Sequence, residues 1–170
     1  MTEVSTSRIP SAAIKTVVFS ILVPGTVGGV VPQFLVRAYP DVARQDVGTL
    51  VWAGWLGLGL GAVGYLWCAL DFVRKGLGTP APVDPPVRLV VGGLYRFSRN
   101  PMYTSVLVLI FGQALIEGSG VVLGYGVGMW LVFFAFVRWF EEPRLLARFG
   151  PVYERYLEEV PRWIGLGRRR

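Results

Sequence analysis

Four stretches of this chain carry almost no charge, at residues 12–36, 47–73, 102–116 and 121–140. In hydrocarbon no water is available to bond the backbone N–H and C=O groups, so a spanning run must satisfy them internally, by coiling into a helix. The pattern therefore predicts an all-α, polytopic membrane helix bundle of about four helices, forming one compact domain over residues 1–170. Charged residues make up 16% of the chain, against about a quarter in soluble domains. The third run covers about fifteen residues and would reach only about 22 Å of a hydrocarbon core about 30 Å thick. It is expected to form a hairpin with the fourth across Glu117-Gly118-Ser119-Gly120, dipping into the bilayer or crossing it.

The basic residues order these runs across a membrane. With four spans, fifteen of the seventeen lysines and arginines fall on one side, leaving Arg37 and Arg44 on the other. The positive-inside rule makes the richer side cytoplasmic, with both termini there. A basic tail can also mark a nucleic-acid binder, but topology and attraction to anionic headgroups account for this one. The first run, with Pro24-Gly25 and Pro32 inside it, is read as a retained, kinked helix. It is long for a signal peptide, and no convincing cleavage site follows. Residues 74–101 form a proline-rich connector. Over residues 143–160, Leu145, Phe149, Val152, Tyr153, Tyr156 and Val160 recur at helical spacing, predicting a cytoplasmic amphipathic helix.

Several chemistries are excluded at once. The chain has no histidine and one cysteine, Cys68, so it lacks imidazole-based nucleophilic triads, thiolate metal clusters and intrachain disulfides. No metal and no nucleic acid is expected as a partner. Residues 59–64 read GLGAVG, a literal match to the dinucleotide fingerprint. That fingerprint needs a strand before it and a helix opening at it, whereas these glycines lie inside an apolar helix. Gly57 and Gly61, and likewise Gly120, Gly124 and Gly128, are spaced by four, as in close helix packing.

Polar chemistry gathers in two motifs. In Gly93-Leu94-Tyr95-Arg96-Phe97-Ser98-Arg99-Asn100-Pro101-Met102-Tyr103, Asn100 suits an N-cap and Pro101 the first position of the third helix. A helix opening beside Arg96 and Arg99 can hold a carboxylate or phosphate, although the arginines alone also fit a purely topogenic role. The second motif, Arg138-Trp139-Phe140-Glu141-Glu142-Pro143, ends the fourth run. Adjacent carboxylates at a membrane boundary need a partner; Arg138 can neutralise one, leaving the other for Arg99 or a cationic ligand.

Together GTPAPVDPP…LVVGGLYRFSRNPMY and EEPRLLARFGPVYERYLEEVPRW, over residues 74–163, resemble the integral-membrane methyltransferase superfamily. This group includes isoprenylcysteine carboxyl methyltransferases, phospholipid N-methyltransferases and many bacterial relatives. The resemblance implies S-adenosylmethionine as cofactor, a lipophilic or lipid acceptor drawn from the bilayer, and a place in the bacterial inner membrane. It implies cofactor binding by Arg99, Asn100, Pro101, Tyr103, Glu141 and Glu142, with Tyr153 and Tyr156 closing over the cofactor. Arg96 or Arg99 would orient an acceptor carboxylate. The prenylcysteine branch typically has His where this chain has Asn100, which bears on the acceptor more than on the cofactor. Phospholipid or small-thiol methylation on the same fold, and a non-catalytic transporter or scaffold, are the competing readings. A transporter usually holds polar groups near mid-membrane, where this chain offers Ser20, Gln33 and Gln113.

Overall fold

A computed structural model describes residues 13–40, 45–76, 89–163 and 165. Helix α1 runs from Ala13 to Ala38, and α2 from Leu50 to Asp71 with a π-helical extension Phe72–Gly76. A 3-10 turn, Gly93–Arg96, precedes α3 (Pro101–Glu117). Helix α4 (Gly120–Phe136) passes through a π-helical turn, Val137–Glu141, into α5 (Glu142–Phe149), and α6 is Pro151–Glu159. The described residues contain no strand, so the protein is an all-α membrane helix bundle. Among the described residues three apolar helical stretches are long enough to cross a bilayer: Ala13–Ala38, Leu50–Arg74 and Gly120–Phe149. Helix α3, at 17 residues, reaches about 25 Å. Large apolar side chains such as Ile21, Leu22, Leu56, Leu60, Leu131 and Val132 point outward, as lipid-facing surfaces require. Residues 77–88 of the predicted connector lie outside the described residues, as do the first twelve residues and the arginines after 165.

The chain divides into two compact units, one drawn from Met1–Val23, Gly64–Met102 and Leu145–Arg170, the other from Pro24–Val63 and Tyr103–Arg144. In the second unit α2 and α3 meet backbone to backbone. A Cβ placed on Gly54 would stand 2.8 Å from the Gly112 carbonyl oxygen, and one on Gly112 would stand 2.9 Å from the Gly54 oxygen and the Leu58 nitrogen. Gly61 is as tight, 2.9 Å from the Ser105 oxygen. The expected packing role of Gly57 and Gly61 is thus met, with Gly54 and Gly112 completing the contact. The expectation for the last helix is corrected. Gly124 and Gly128 have nothing within 4 Å, and Gly126, outside the four-residue spacing, is the glycine that takes a neighbour, the Phe111 ring. Spacing defines a face of the helix, not what stands opposite it.

Polar side chains tie the same unit together. Gln113 donates to the Gly28 carbonyl at 2.6 Å and accepts from Gln33 at 3.2 Å, and the Tyr125 hydroxyl donates to the Val27 carbonyl at 3.0 Å. Both carbonyls belong to the π-wound segment Ile21–Val30, and Pro32, four residues after Gly28 and five after Val27, has no N–H to offer them. Between α3 and α4, Gly118 takes φ +60°, and Ser119 caps α4 by accepting from the Val122 N–H.

In the first unit the Tyr65 hydroxyl donates to Ser20 at 2.6 Å, and Ser20 donates to the Thr16 carbonyl at 2.7 Å. Cys68 is fully buried, as expected of a packing residue. Tyr153, Tyr156 and Val160 form a core lined by Leu89, Leu145, Phe149 and Leu157. The periodicity predicts one amphipathic helix over 143–160, but the chain forms two. Gly150 sits at φ +52° and Pro151, lacking an N–H, starts α6. Val152, expected on the apolar face, is 63% exposed.

Candidate functional site

The first unit carries the Arg96–Pro101 segment, and its shape follows from its residues. Gly93 adopts φ +62° with its Cα set against the Asp71 carboxylate and the Trp67 indole, where any side chain would collide. The 3-10 turn that follows buries Tyr95, whose ring meets Phe72 edge-on at 5.8 Å. Ser98 then turns the chain by accepting the Asn100 N–H at 3.1 Å, and Pro101 opens α3 where a missing N–H costs nothing.

This segment is stitched to the chain beyond α6. The Arg99 N–H donates to the Pro161 carbonyl at 2.9 Å, and the Asn100 side-chain amide donates to the Arg162 carbonyl at 2.9 Å. The Ser98 hydroxyl reaches the same Arg162 oxygen at 3.4 Å. From α6, the Tyr156 hydroxyl donates to the Tyr95 carbonyl at 2.7 Å. Burial pushes the Tyr156 phenol above its usual value of 10.0; neighbouring Tyr153 adds to this, and the Arg99 charge opposes it. Arg99 is half-buried, whereas Arg96 is exposed.

The second unit carries Tyr103, Glu141 and Glu142. The Tyr103 hydroxyl donates to Glu141 Oε2 at 2.8 Å, and its ring packs on Phe133 with centroids 4.8 Å apart. Glu141 ends the π turn and Glu142 starts α5, buried at 8% exposure. Such π turns recur at functional sites because they re-aim side chains within a helix. Arg138, expected to neutralise a carboxylate, is exposed, and Tyr103 is the partner found on Glu141. The Arg144 guanidinium lies over the Phe140 ring at 3.5 Å.

The structure thus groups Arg99, Asn100, Pro101, Tyr153 and Tyr156 in one unit, and Tyr103, Glu141 and Glu142 in the other. Tyr153 and Tyr156 are buried side chains of a packed core. Sequence reasoning missed Ser98, Pro161 and Arg162. The last two act through main-chain carbonyls, which leave no side-chain signature; Ser98 two residues before Asn100 carried a readable turn signal.

The bundle carries a polar segment at the opening of α3 and paired carboxylates where the π turn after α4 meets α5, and comparison with known proteins supplies the class. Residues 51–151 match the phospholipid methyltransferase family model, more than half of the chain and both motifs, and the chain belongs to this family of membrane methyltransferases. A relative is the cobalt-zinc-cadmium resistance protein CzcN of Cupriavidus metallidurans, 32% identical over 113 residues, covering 66% of this chain and 47% of the relative. The match therefore spans about half of that protein's length. No solved structure matches.

Proposed function

We propose that the protein transfers a methyl group from S-adenosylmethionine to a lipophilic acceptor drawn from the bilayer. The observation that carries the reading is that the family match includes both Arg96–Tyr103 and Glu141–Glu142. The residue chemistry fits the cofactor. Arg99 and the opening of α3 suit the methionyl carboxylate, and Asn100, Pro101 and Tyr103 share that segment. Glu141 or Glu142 suits the amino group or the ribose hydroxyls. Tyr153 and Tyr156 support the Arg99 segment from the core beneath α6, a role the Tyr156–Tyr95 bond favours. Exposed Arg96, with Arg99, suits an acceptor carboxylate.

Bound S-adenosylmethionine supplies an electrophilic sulfonium methyl, and the nucleophile belongs to the acceptor. The chain's own residues need only align the two and exclude water, an arrangement worth about 7–11 kcal/mol. Absence of histidine is no obstacle to such a reaction. The acceptor is of the prenylcysteine-carboxyl or phospholipid kind, with a small thiol as the narrower alternative; a labelled methyl donor offered to each class decides among them. Transport is disfavoured, because the mid-span amides Gln33 and Gln113 bond to each other and to the helix backbone. The metal resistance in the relative's name is not carried over, since the match spans under half of that protein.

The test is calorimetric binding of S-adenosylmethionine to the detergent-purified protein beside Arg99→Ala and Glu142→Ala. Removing one partner of a buried charge contact should weaken binding about thirty-fold or more. Folded wild-type protein that does not bind the cofactor would remove this reading.

A further inference from the structure

Tyr103 is implied as a cofactor contact by the family resemblance, yet its side chain is engaged with the protein at both ends. Its ring lies on Phe133 with centroids 4.8 Å apart, and its hydroxyl donates to Glu141 Oε2 at 2.8 Å. Tyr103 stands in the first turn of α3, while both partners come from one continuous helix, α4 with the π turn that follows it. Winding makes the double contact possible. Glu141 follows Phe133 by eight residues, which regular α-helix would turn about 80° away from it. The π turn Val137–Glu141 takes up one extra residue within the same rotation and swings Glu141 back toward the Phe133 face. One tyrosine can then lie on the ring and reach the carboxylate.

Only one of the two Glu141 oxygens is used in this way. Among the described residues Oε1 has no hydrogen-bond partner, and protein atoms do not close it off. A carboxylate can accept on both oxygens. Holding one of them fixes the direction of the other and removes rotamer freedom that a ligand would otherwise have to quench on binding.

We infer that Tyr103 is a positioning residue and not a cofactor contact. Phe133 fixes its ring, its hydroxyl fixes Glu141 through Oε2, and Oε1 is left to accept from the amino group or a ribose hydroxyl of the cofactor. This rests on S-adenosylmethionine being the cofactor. It gives Phe133, which lies outside both motifs, a part in binding, and it separates Tyr103 in role from the Arg99 and Asn100 that precede it.

Calorimetry with S-adenosylmethionine on wild type, Tyr103→Phe, Glu141→Asp and the double variant tests it. Phenylalanine keeps the ring on Phe133 and removes only the hydroxyl. Aspartate keeps the charge but is one methylene too short to hold that hydroxyl. Y103F should bind about three- to ten-fold more weakly than wild type, the range for one hydrogen bond. Added to E141D, itself weakened, Y103F should change affinity by less than about two-fold, because the link it removes is already broken. An equal loss in both backgrounds means that the hydroxyl meets the cofactor itself or acts through the fold at large, and overturns the inference. Wild-type affinity in Y103F overturns it too, as does wild-type affinity in E141D. These three results leave the cofactor reading standing, whereas folded wild type that does not bind removes both. Should E141D lose the wild-type helicity, Glu141→Ala serves as the background with the same expectation.

Discussion

Helices α2 and α4 carry glycines at the same four-residue spacing, yet the two series meet opposite fates. On α2, Gly54, Gly57 and Gly61 lie against the backbone of α3, close enough that a methyl group on Gly54 or Gly61 would collide with main-chain atoms. On α4, Gly124 and Gly128 face open space, and the packed glycine is Gly126. What separates them is the opposite surface. Helix α3 presents Gly112 to Gly54 and Gly57, so two backbones approach, whereas Gly126 receives an aromatic ring. Small residues permit close approach; a second small residue facing them is what realises it.

Substitutions can break this contrast, the largest effect coming first. Gly112→Leu should separate α2 from α3, since its Cβ would press on the main chain of Gly54 and Leu58. Overpacking against backbone costs about 3 kcal/mol or more, so little folded protein should survive in a detergent thermal melt. A melt near that of wild type would show that the two helices slide apart cheaply. Gln113→Leu keeps much of the side-chain volume but strips the donor from the Gly28 carbonyl. The loss should be about 1–3 kcal/mol, read in the same melt. Gly124→Ala and Gly128→Ala should cost nothing and gain about 0.5–1 kcal/mol each, because alanine restricts the unfolded chain. A marked loss there would reveal a contact on that face of α4.

The same contrast shows what the sequence could reveal. The charge-free runs, the start of α3 at Pro101 and the candidate residues around Arg99 and Glu141 were legible, because apolar length, proline geometry and ionisable side chains write themselves in residue types. The idle face of α4 was not, since spacing says nothing about the partner surface. Arg138 was the expected companion of the carboxylates by proximity along the helix, while Tyr103 from α3 bonds Glu141; only tertiary structure supplies such pairs. The break at Gly150-Pro151 was readable as a turn signal. The helical spacing of apolar residues on either side concealed it.

The π turn Val137–Glu141 bears on the length of the chain as well as its composition. A π turn holds one residue more than an α turn and takes it up within the same rotation, whereas each ordinary α-helical residue turns the chain by about 100°. Deleting a single residue between 137 and 141 would therefore restore regular winding with the helix beyond it facing nearly as before, while the same deletion in α4 would swing both carboxylates by about a quarter-turn. In this helix the position of a gap matters as much as the identity of a residue. A homologue that keeps both glutamates but lacks one residue upstream of the π turn would present them in another direction.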